Sequence, residues 1–337
     1  MTAGSNQSPD STVLRVEDLT VDFDVRGKSV NILSGINFSL ERGKTLGIIG
    51  ESGCGKSMTA LAILRMVPSP PGRISNGRVL LNNEDLLCAT KERMNSIRGK
   101  EISIIFQEPM TSLNPVFTVG NQIAETIRRH KPVSWANALE ESVELLHTVQ
   151  IPAPQRRINE YPHQLSGGMR QRVMIAMALA CDPKVLIADE PTTALDVTVQ
   201  AQIFDLLKDI QEKSGTSIIL ITHDFGAVTE MADRVLAMYA GHKIEEGNLD
   251  EIRNDPRHPY TQGLLRSIPK ILTDPKGYRE PLPEIPGSVP DLINRQDGCP
   301  FGPRCSFASP QCLEIPENTN FGTDRSVKCW LAGAHQT

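Results

Sequence analysis

Long apolar runs, an excess of positive charge and an apolar N-terminus are all missing from this sequence. The longest apolar stretch of note, Val173 to Cys181, has about half of the roughly 18 residues that a membrane span needs. The net charge is −5, so the composition gives no sign of a nucleic-acid partner. The N-terminus is polar and lacks the apolar core of a secretory signal, so we interpret residues 1–11 as a disordered tail.

The chain has 337 residues, enough for one large domain with a smaller one, or for two domains. An apolar content of 39% and a charged content of 22% are typical of a globular protein with a buried core. The composition changes after Gly247, where a cluster of six prolines predicts an extended linker rather than a helix or a central strand. These are Pro269, Pro275, Pro281, Pro283, Pro286 and Pro290.

Strand and helix patterns alternate along the first 250 residues and predict an α/β fold with a parallel sheet. Residues Glu108 to about Pro162 favour helix and predict an inserted helical lobe. Further strands are predicted at Thr12–Phe23, Ile32–Leu40, TLGIIG, ISIIF, KVLIADE and TSIILITHD, and further helices after Lys56 as far as Pro68, after Ser166 and in AQIFDLLKDIQEKSG.

The string GESGCGKS, from Gly50 to Ser57, fits the phosphate-binding pattern G-x4-G-K-S/T between a strand and a helix. Glycines at 50, 53 and 55 allow a tight turn whose N–H groups can face phosphate oxygens, and the following helix start favours an anion. Lys56 would contact the β- and γ-phosphates, and Ser57 would offer its hydroxyl to Mg²⁺. The alternative is a glycine turn that binds nothing. The residues predicted to surround the phosphates are Gly50, Gly53, Cys54, Gly55, Lys56, Ser57 and Met58.

Two acidic residues follow the apolar run VLIA, at the strand end where open α/β sheets bind ligands. Asp189 would support Mg²⁺, and Glu190 would polarise the attacking water. The alternative is an acidic cap of the next helix.

The string LSGGMRQR places Ser166, Gly167 and Gly168 before a helix. Ser166 alone would be an ordinary N-cap. Exposed amides at a helix N-terminus also form a good γ-phosphate site, so both interpretations stand.

Together these strings resemble the nucleotide-binding subunits of ATP-binding cassette (ABC) transporters. LSGGMRQR resembles their signature motif, with Met169 in place of the commoner Gln. By the same resemblance Gln107 matches the Q-loop and contacts Mg²⁺, Ala194-Leu195-Asp196 matches the D-loop, and His223 matches the switch histidine. Phe23 lies where the family places an adenine-stacking aromatic, although a core Phe explains it equally well.

The resemblance implies a P-loop NTPase fold of the ABC type, with a RecA-like core and a helical subdomain. It implies an ATPase domain over residues 12–250, a helical subdomain over about 108–172, and a small Pro- and Cys-rich extension over 251–337. It also implies that two such subunits pair head to tail. Each ATP, with Mg²⁺, then lies between one phosphate loop and the partner's equivalents of Ser166 and Gly168.

Two longer strings indicate which branch of the ABC family the chain resembles. QEPMTSLNPVFTVGNQIAE, from Gln107, and HPYTQGLL, from His258, resemble the dipeptide and oligopeptide importer ATPases and their nickel-importing relatives. The implied partners are a second, paralogous ATPase subunit, two membrane permeases and an extracytoplasmic peptide-binding protein. The implied location is the cytoplasmic face of the cell membrane. A soluble non-transport ABC ATPase, a non-catalytic nucleotide-gated protein and a phosphate-loop kinase are the alternatives.

Four cysteines close the sequence with the spacing C-x5-C-x6-C-x16-C. They are Cys299, Cys305, Cys312 and Cys329. Without an export signal a disulfide framework is not favoured, and the spacing lacks the close C-x2-C pair of common zinc and ferredoxin sites. In this importer branch the resemblance implies a 4Fe–4S cluster. Zn²⁺ and unliganded thiols remain alternatives.

Overall fold

The computed structural model describes residues 11–108, 112–193, 195–268, 284–290, 297–322 and 324–336. Ala194, nearly all of the predicted tail and four of the six linker prolines therefore lie outside the described residues. The chain divides into two compact units. The first unit comprises Met1–Arg15, Ser39–Thr45 and Val79–Ile221, and the second comprises Val16–Phe38, Leu46–Arg78 and Thr222–Thr337.

The first unit is built on three parallel strands. They are β6 (Ile102–Ile105), β7 (Val185–Asp189) and β8 (Ser217–Thr222, whose last residue belongs to the second unit). Strand β7 pairs with β6 in the register Ile102↔Val185 and with β8 in the register Asp189↔Ile221. Every residue of β7 and β8 is buried, as parallel strands covered on both faces require.

Five described helices of this unit begin at side-chain caps, and α5 (Pro154–Arg157) does not. Thr118 accepts a hydrogen bond from Asn121 N–H, Ser134 from Asn137 N–H and Asp196 from Val199 N–H, which satisfies an N–H that a helix start leaves without a helical acceptor. The helices are α2 (Lys91–Ile97), α3 (Val119–His130), α4 (Trp135–Thr148), α5 (Pro154–Arg157), α6 (Gly167–Leu179) and α7 (Val197–Ser214). Helices α3, α4 and α6 pack against one another, and α6 also contacts β6.

The second unit has a mixed sheet. Strand β3 (Thr45–Ile49, from Leu46 onward in this unit) runs parallel to β9 (Arg234–Tyr239) in the register Ile49↔Ala237. Strand β9 pairs antiparallel with β10 (His242–Asn248), which has a bulge between Lys243 and Glu245. Two short strands continue antiparallel from β10, namely β12 (Arg325–Val327) and then β11 (Thr319–Phe321).

The described residues of the second unit also contain four helices. Short 3₁₀ turns lie at Gly302–Arg304, Pro310–Leu313 and Trp330–Gln336 in this unit, and another lies at Pro162–Gln164 in the first unit. The helices are α1 (Lys56–Ile63), α8 (Phe225–Met231), α9 (Leu249–Asn254) and α10 (Pro259–Arg266). One apolar core joins β9, α8, α9 and α10 with Phe301 of the Cys-containing segment. The cysteine segment therefore shares a core with the sheet that carries the phosphate-binding string.

Strands β1 (Thr12–Val25), β2 (Lys28–Glu41) and β4 (Gly72–Leu81) contribute residues to both units, and the two-residue β5 (Glu84–Asp85) belongs to the first. The predicted α/β fold with parallel strands is confirmed. One boundary was wrong, because the helix predicted to continue to Pro68 ends at Ile63. Within the described residues, no helix combines the length and the apolar character that crossing a bilayer requires.

Candidate functional site

The phosphate-binding string forms a loop between β3 and α1, as the pattern predicts. Gly50 follows β3 with φ 155°, and a Cβ there would lie 2.3 Å from the carbonyl oxygen of Met238. Gly55 is the N-cap of α1 with φ 103°, and a Cβ there would lie 2.7 Å from a methyl group of Leu33. Both positions are therefore restricted to glycine by backbone conformation, and Gly50 also by its close approach to the backbone of Met238.

Lys56 is buried, with only 5% of its surface exposed, at the first position of α1. Its Nζ donates to the carbonyl oxygens of Gly50, at 2.7 Å, and Glu51, at 3.1 Å. The ammonium is thus held inside the loop, where a fixed positive charge favours phosphate oxygens. Ser57 is exposed beside it, and Met58 is half-buried.

Cys54 fills the inside of the same loop and is 1% exposed. Burial raises the pKa of its thiol, although the nearby Lys56 charge acts in the opposite direction. A buried, protonated thiol packs as a small apolar group, so Cys54 has a structural place in the loop.

Glu51, which directly follows Gly50 in the loop, is a residue that the sequence analysis missed. Its N–H donates to the phenol oxygen of Tyr260 at 2.8 Å, and its carboxylate accepts two hydrogen bonds from Arg304. The phosphate-binding pattern leaves this position open to any residue, so the motif carried no signal for these contacts.

The two predicted carboxylates lie at the end of β7 in the first unit. Asp189 is 6% exposed and Glu190 is 9% exposed. Glu190 adopts the left-handed conformation with φ 47°, and its N–H donates to Ile221 O at 2.8 Å. A non-glycine residue in this region is uncommon and marks a constrained backbone.

Two neutral groups donate hydrogen bonds to Glu190. Its Oε2 accepts from Gln107 Nε2 at 2.8 Å and from Thr193 Oγ1 at 2.9 Å. The structure therefore brings two predicted site residues, Gln107 and Glu190, into direct contact. A buried carboxylate with such donors keeps a fixed orientation, as a group that must orient a water requires.

Ser166 caps α6, because its Oγ accepts from Met169 N–H at 3.4 Å. Ser166 and Gly167 are exposed, and a Cβ on Gly168 would lie 3.0 Å from Val199 Cγ1. The ordinary N-cap interpretation is thus seen in the structure. It does not compete with anion binding, since the first N–H groups of a helix have no intrahelical acceptor.

The remaining predicted site residues have clear local settings. Asp196 is exposed and caps α7 with a 3.0 Å hydrogen bond from Val199 N–H, while Ala194 lies outside the described residues. His223 is exposed directly after β8. Phe23 is half-buried on β1, and its ring leaves no room for a Cβ on Gly72, only 2.7 Å away.

The four C-terminal cysteines are free thiols, each half-buried. Burial raises the pKa of Cys299 and Cys305, and raises that of Cys329 to about 11, with the neighbouring thiols adding to each effect. The N–H of Cys299 donates to Cys312 O at 2.9 Å. The thiols are therefore neighbours, but among the described residues no group of three or more His, Cys, Asp or Glu side chains is placed to hold a metal ion.

The chain contains a phosphate loop after a buried parallel strand, acidic residues at a strand end and a Ser-Gly-Gly helix start, and a chain with all three features is an ABC-type ATPase cassette. Comparison supports this class. The ABC transporter family model matches residues 33–193, and that of the oligopeptide/dipeptide transporter C-terminal region matches residues 244–312. A dimeric bacterial ABC transporter cassette, MJ0796, superposes with a TM-score of 0.62 at 26% identity, covering 70% of this chain and 98% of that one.

The chain belongs to the ATP-binding subunits of oligopeptide and dipeptide ABC transporters. It is 51% identical to the oligopeptide transport ATP-binding protein OppD of Bacillus subtilis, over 95% of this chain and 88% of that protein. It is 48% identical to the dipeptide transport ATP-binding protein DppD of the same organism, over 95% of this chain and 94% of that protein.

Proposed function

We propose that this chain hydrolyses ATP to energise the import of dipeptides or oligopeptides through a membrane ABC transporter. The observation that carries the proposal is the orientation of Glu190 by Gln107 and Thr193 at the end of β7. A carboxylate held in this way can polarise water, which hydrolysis needs and nucleotide binding alone does not. The peptide cargo is proposed from OppD and DppD, whose names state oligopeptide and dipeptide transport.

The roles of the nucleotide residues follow from their motifs. The loop from Gly50 to Met58, with Lys56, would hold the phosphates of ATP, and Phe23 would stack on the adenine. Mg²⁺ prefers oxygen donors, and the hydroxyl of Ser57, the amide of Gln107 and the carboxylate of Asp189 provide them. Glu190 would act on the attacking water, and His223 would respond to the γ-phosphate.

We also propose a head-to-tail dimer with a paralogous ATPase subunit, in which Ser166, Gly167, Gly168 and Asp196 face the partner's nucleotide. The exposure of Ser166, Gly167 and Asp196 supports this proposal, since only exposed groups can meet another chain. The proposed assembly adds two permeases and an extracytoplasmic peptide-binding protein. It places the chain peripherally at the cytoplasmic face of the membrane, with an ATPase domain over 12–250 and an extension over 251–337.

The test is transport in proteoliposomes that contain the chain together with the partner subunits encoded beside its gene. ATP-dependent uptake of a labelled peptide is expected, and it should disappear with the Glu190→Gln variant. Uptake of Ni²⁺ without peptide uptake, or ATP hydrolysis that no peptide stimulates, would contradict the proposed cargo.

The proposed 4Fe–4S cluster is tested separately. Four thiolates are the ligand set that such a cluster takes, and the four thiols are neighbours in one segment. Cys299 and Cys312 both lie close to Gly302, since the Cβ atom of each is 3.9 Å from the place that a Cβ would occupy on that glycine. The thiols would have to close around the cluster, because they are not yet arranged as ligands. Anaerobically purified protein should be brown, with about four iron and four sulfide per chain. Zinc in its place, or metal-free thiols, would refute the cluster.

A further inference from the structure

Glu51 of the phosphate loop is held on three sides within the second unit. Its N–H donates to Tyr260 Oη at 2.8 Å, and its carbonyl oxygen accepts from Lys56 Nζ at 3.1 Å. Its carboxylate forms a two-pronged ion pair with Arg304, Nη1 to Oε2 at 2.6 Å and Nη2 to Oε1 at 3.1 Å. Two of these three attachments come from residues beyond the matched cassette region, which ends at 193.

Arg304 is itself firmly anchored. Its side chain is 7% exposed, and the ion pair with Glu51 raises the pKa of its guanidinium. Besides Glu51 it donates to the carbonyl oxygens of Ile285, Pro286 and Gly287, at 3.1, 2.8 and 3.3 Å. A planar guanidinium held by several fixed acceptors gives the carboxylate one orientation only.

Aromatic packing supports the hydrogen bond between the Glu51 N–H and the Tyr260 phenol. Tyr239, Tyr260 and Phe301 are buried and meet edge to face, with ring centroids 4.8 to 5.4 Å apart. Tyr239 also accepts a hydrogen bond from Arg304 at 3.3 Å. Such packing leaves the Tyr260 phenol little freedom to leave the Glu51 N–H.

The ion pair with Arg304 also offsets the negative charge of Glu51. A carboxylate in a loop that binds a triphosphate repels its ligand unless a cation offsets it. Arg304 supplies that cation and fixes the backbone of the residue at the same time. The loop is thereby set in advance for an anion, and ordering it on binding costs less.

We infer that Arg304 and Tyr260 are positioning residues for the phosphate loop, so that the C-terminal extension forms part of the ATP site. The inference rests on the proposed function only in that the loop binds ATP. It assigns to the segment around the cysteines a direct influence on nucleotide affinity.

The test compares variants of the full chain by the Kd for a non-hydrolysable ATP analogue and by the kcat and KM of ATP hydrolysis. Arg304→Gln should raise the Kd and KM about tenfold, with kcat changed less than about twofold. The tenfold change corresponds to the free-energy cost of ordering about one loop residue on binding. Tyr260→Phe keeps the ring and removes one acceptor, so it should raise the Kd about fivefold.

Arg325 provides a matched control in the same unit. Its side chain is 6% exposed, and it pairs with Asp255 at 3.0 Å and Glu245 at 3.4 Å. Arg325→Gln should lower the thermal stability of the chain as much as Arg304→Gln and yet keep the ATP Kd within about twofold of wild type.

Two results would overturn the inference. One is that Arg304→Gln and Tyr260→Phe both bind the analogue within twofold of wild type. The other is that Arg325→Gln weakens binding as strongly as they do, which would make the effect one of general stability. If the wild-type chain itself fails to bind ATP, the proposed function falls first and the inference with it.

Discussion

Replacing Glu190 by Gln separates catalysis from binding in this chain. The amide has nearly the shape of the carboxylate, and both described donors, Gln107 and Thr193, meet the same oxygen. The carbonyl oxygen of Gln can therefore take the place of Oε2 and keep both hydrogen bonds. The change removes the charge, and with it the ability of the carboxylate to attract a proton from water.

The expected magnitudes differ for folding and for turnover. Each of the two bonds changes from charge-assisted to neutral, at a cost of about 1 kcal/mol, while the chain no longer buries a charge. The free energy of unfolding should thus change by less than about 2 kcal/mol. Loss of a general base slows the reaction by about 10²–10⁴, equivalent to about 3–5 kcal/mol of activation free energy.

The assay is phosphate release in a single turnover, read beside the ATP Kd and the dimer population. Glu190→Gln should bind ATP as wild type does, release phosphate at least about a hundredfold more slowly and accumulate the closed dimer. Thr193→Val serves as control, since it removes one donor but keeps the carboxylate, and should slow release less than about tenfold. Phosphate release by Glu190→Gln within threefold of wild type would refute Glu190 as the base.

Three further changes test other groups. Lys56→Ala removes the buried ammonium of the loop and should weaken ATP binding about 10- to 100-fold by calorimetry, whereas unchanged affinity would refute its role. Ser166→Arg should leave the chain's own ATP affinity intact but lower the ATP-dependent dimer fraction at least about tenfold by size-exclusion chromatography, and a wild-type dimer fraction would contradict the shared site. Burial lowers the pKa of His258 to about 3 from 6.5, so only the unfolded chain takes up a proton between these values. Urea unfolding should show stability falling by up to about 1.4 kcal/mol per pH unit below pH 6.5, and His258→Asn should remove this slope; an equal slope in the variant would argue against the assignment.

The parallel strands and the starts of several helices could be predicted because their signals are local. Short apolar runs gave β3, β6, β7 and β8, and Lys56 and Ser166 marked helix starts. The end of α1 could not be predicted in the same way. Arg65, just beyond it, adopts the left-handed conformation with φ 51°, a place where sequence rules expect Gly or Asn.

Strand β10 shows why other elements were missed. Its HKIEEGN sequence contains two adjacent glutamates, and strict alternation would expose one of them, yet Glu245 is 0% and Glu246 4% exposed. Glu246 pairs with Arg234 and Lys243, at 2.6 and 2.7 Å. Glu245 accepts from two backbone N–H groups, at residues 257 and 258. Apart from Lys243 in the same strand, these partners lie elsewhere in the chain, so the strand pattern alone cannot predict that both glutamates are buried.

The same contrast between local sequence signals and contacts of distant residues holds for the candidate functional site. The positions of the phosphate loop, between β3 and α1, and of the acidic residues, at the end of β7, could be predicted because their motifs have a fixed local spacing. The attachment of Glu51 to Arg304 joins residues 253 positions apart. No local pattern encodes such a contact, and it became visible only with the tertiary structure.

The described partners of Glu51 and Glu190 differ in charge, and this difference bears on the roles proposed for the two glutamates. Both oxygens of Glu51 meet one guanidinium, so a fixed cation already offsets its charge. The two described donors to Glu190, an amide and a hydroxyl, are neutral and orient the carboxylate without adding a positive charge. A base must attract a proton, and a carboxylate matched to a permanent cation does so poorly. The proposed roles follow from this difference, since Glu51 would serve as a structural anion in the phosphate loop and Glu190 would serve as the base at the end of β7.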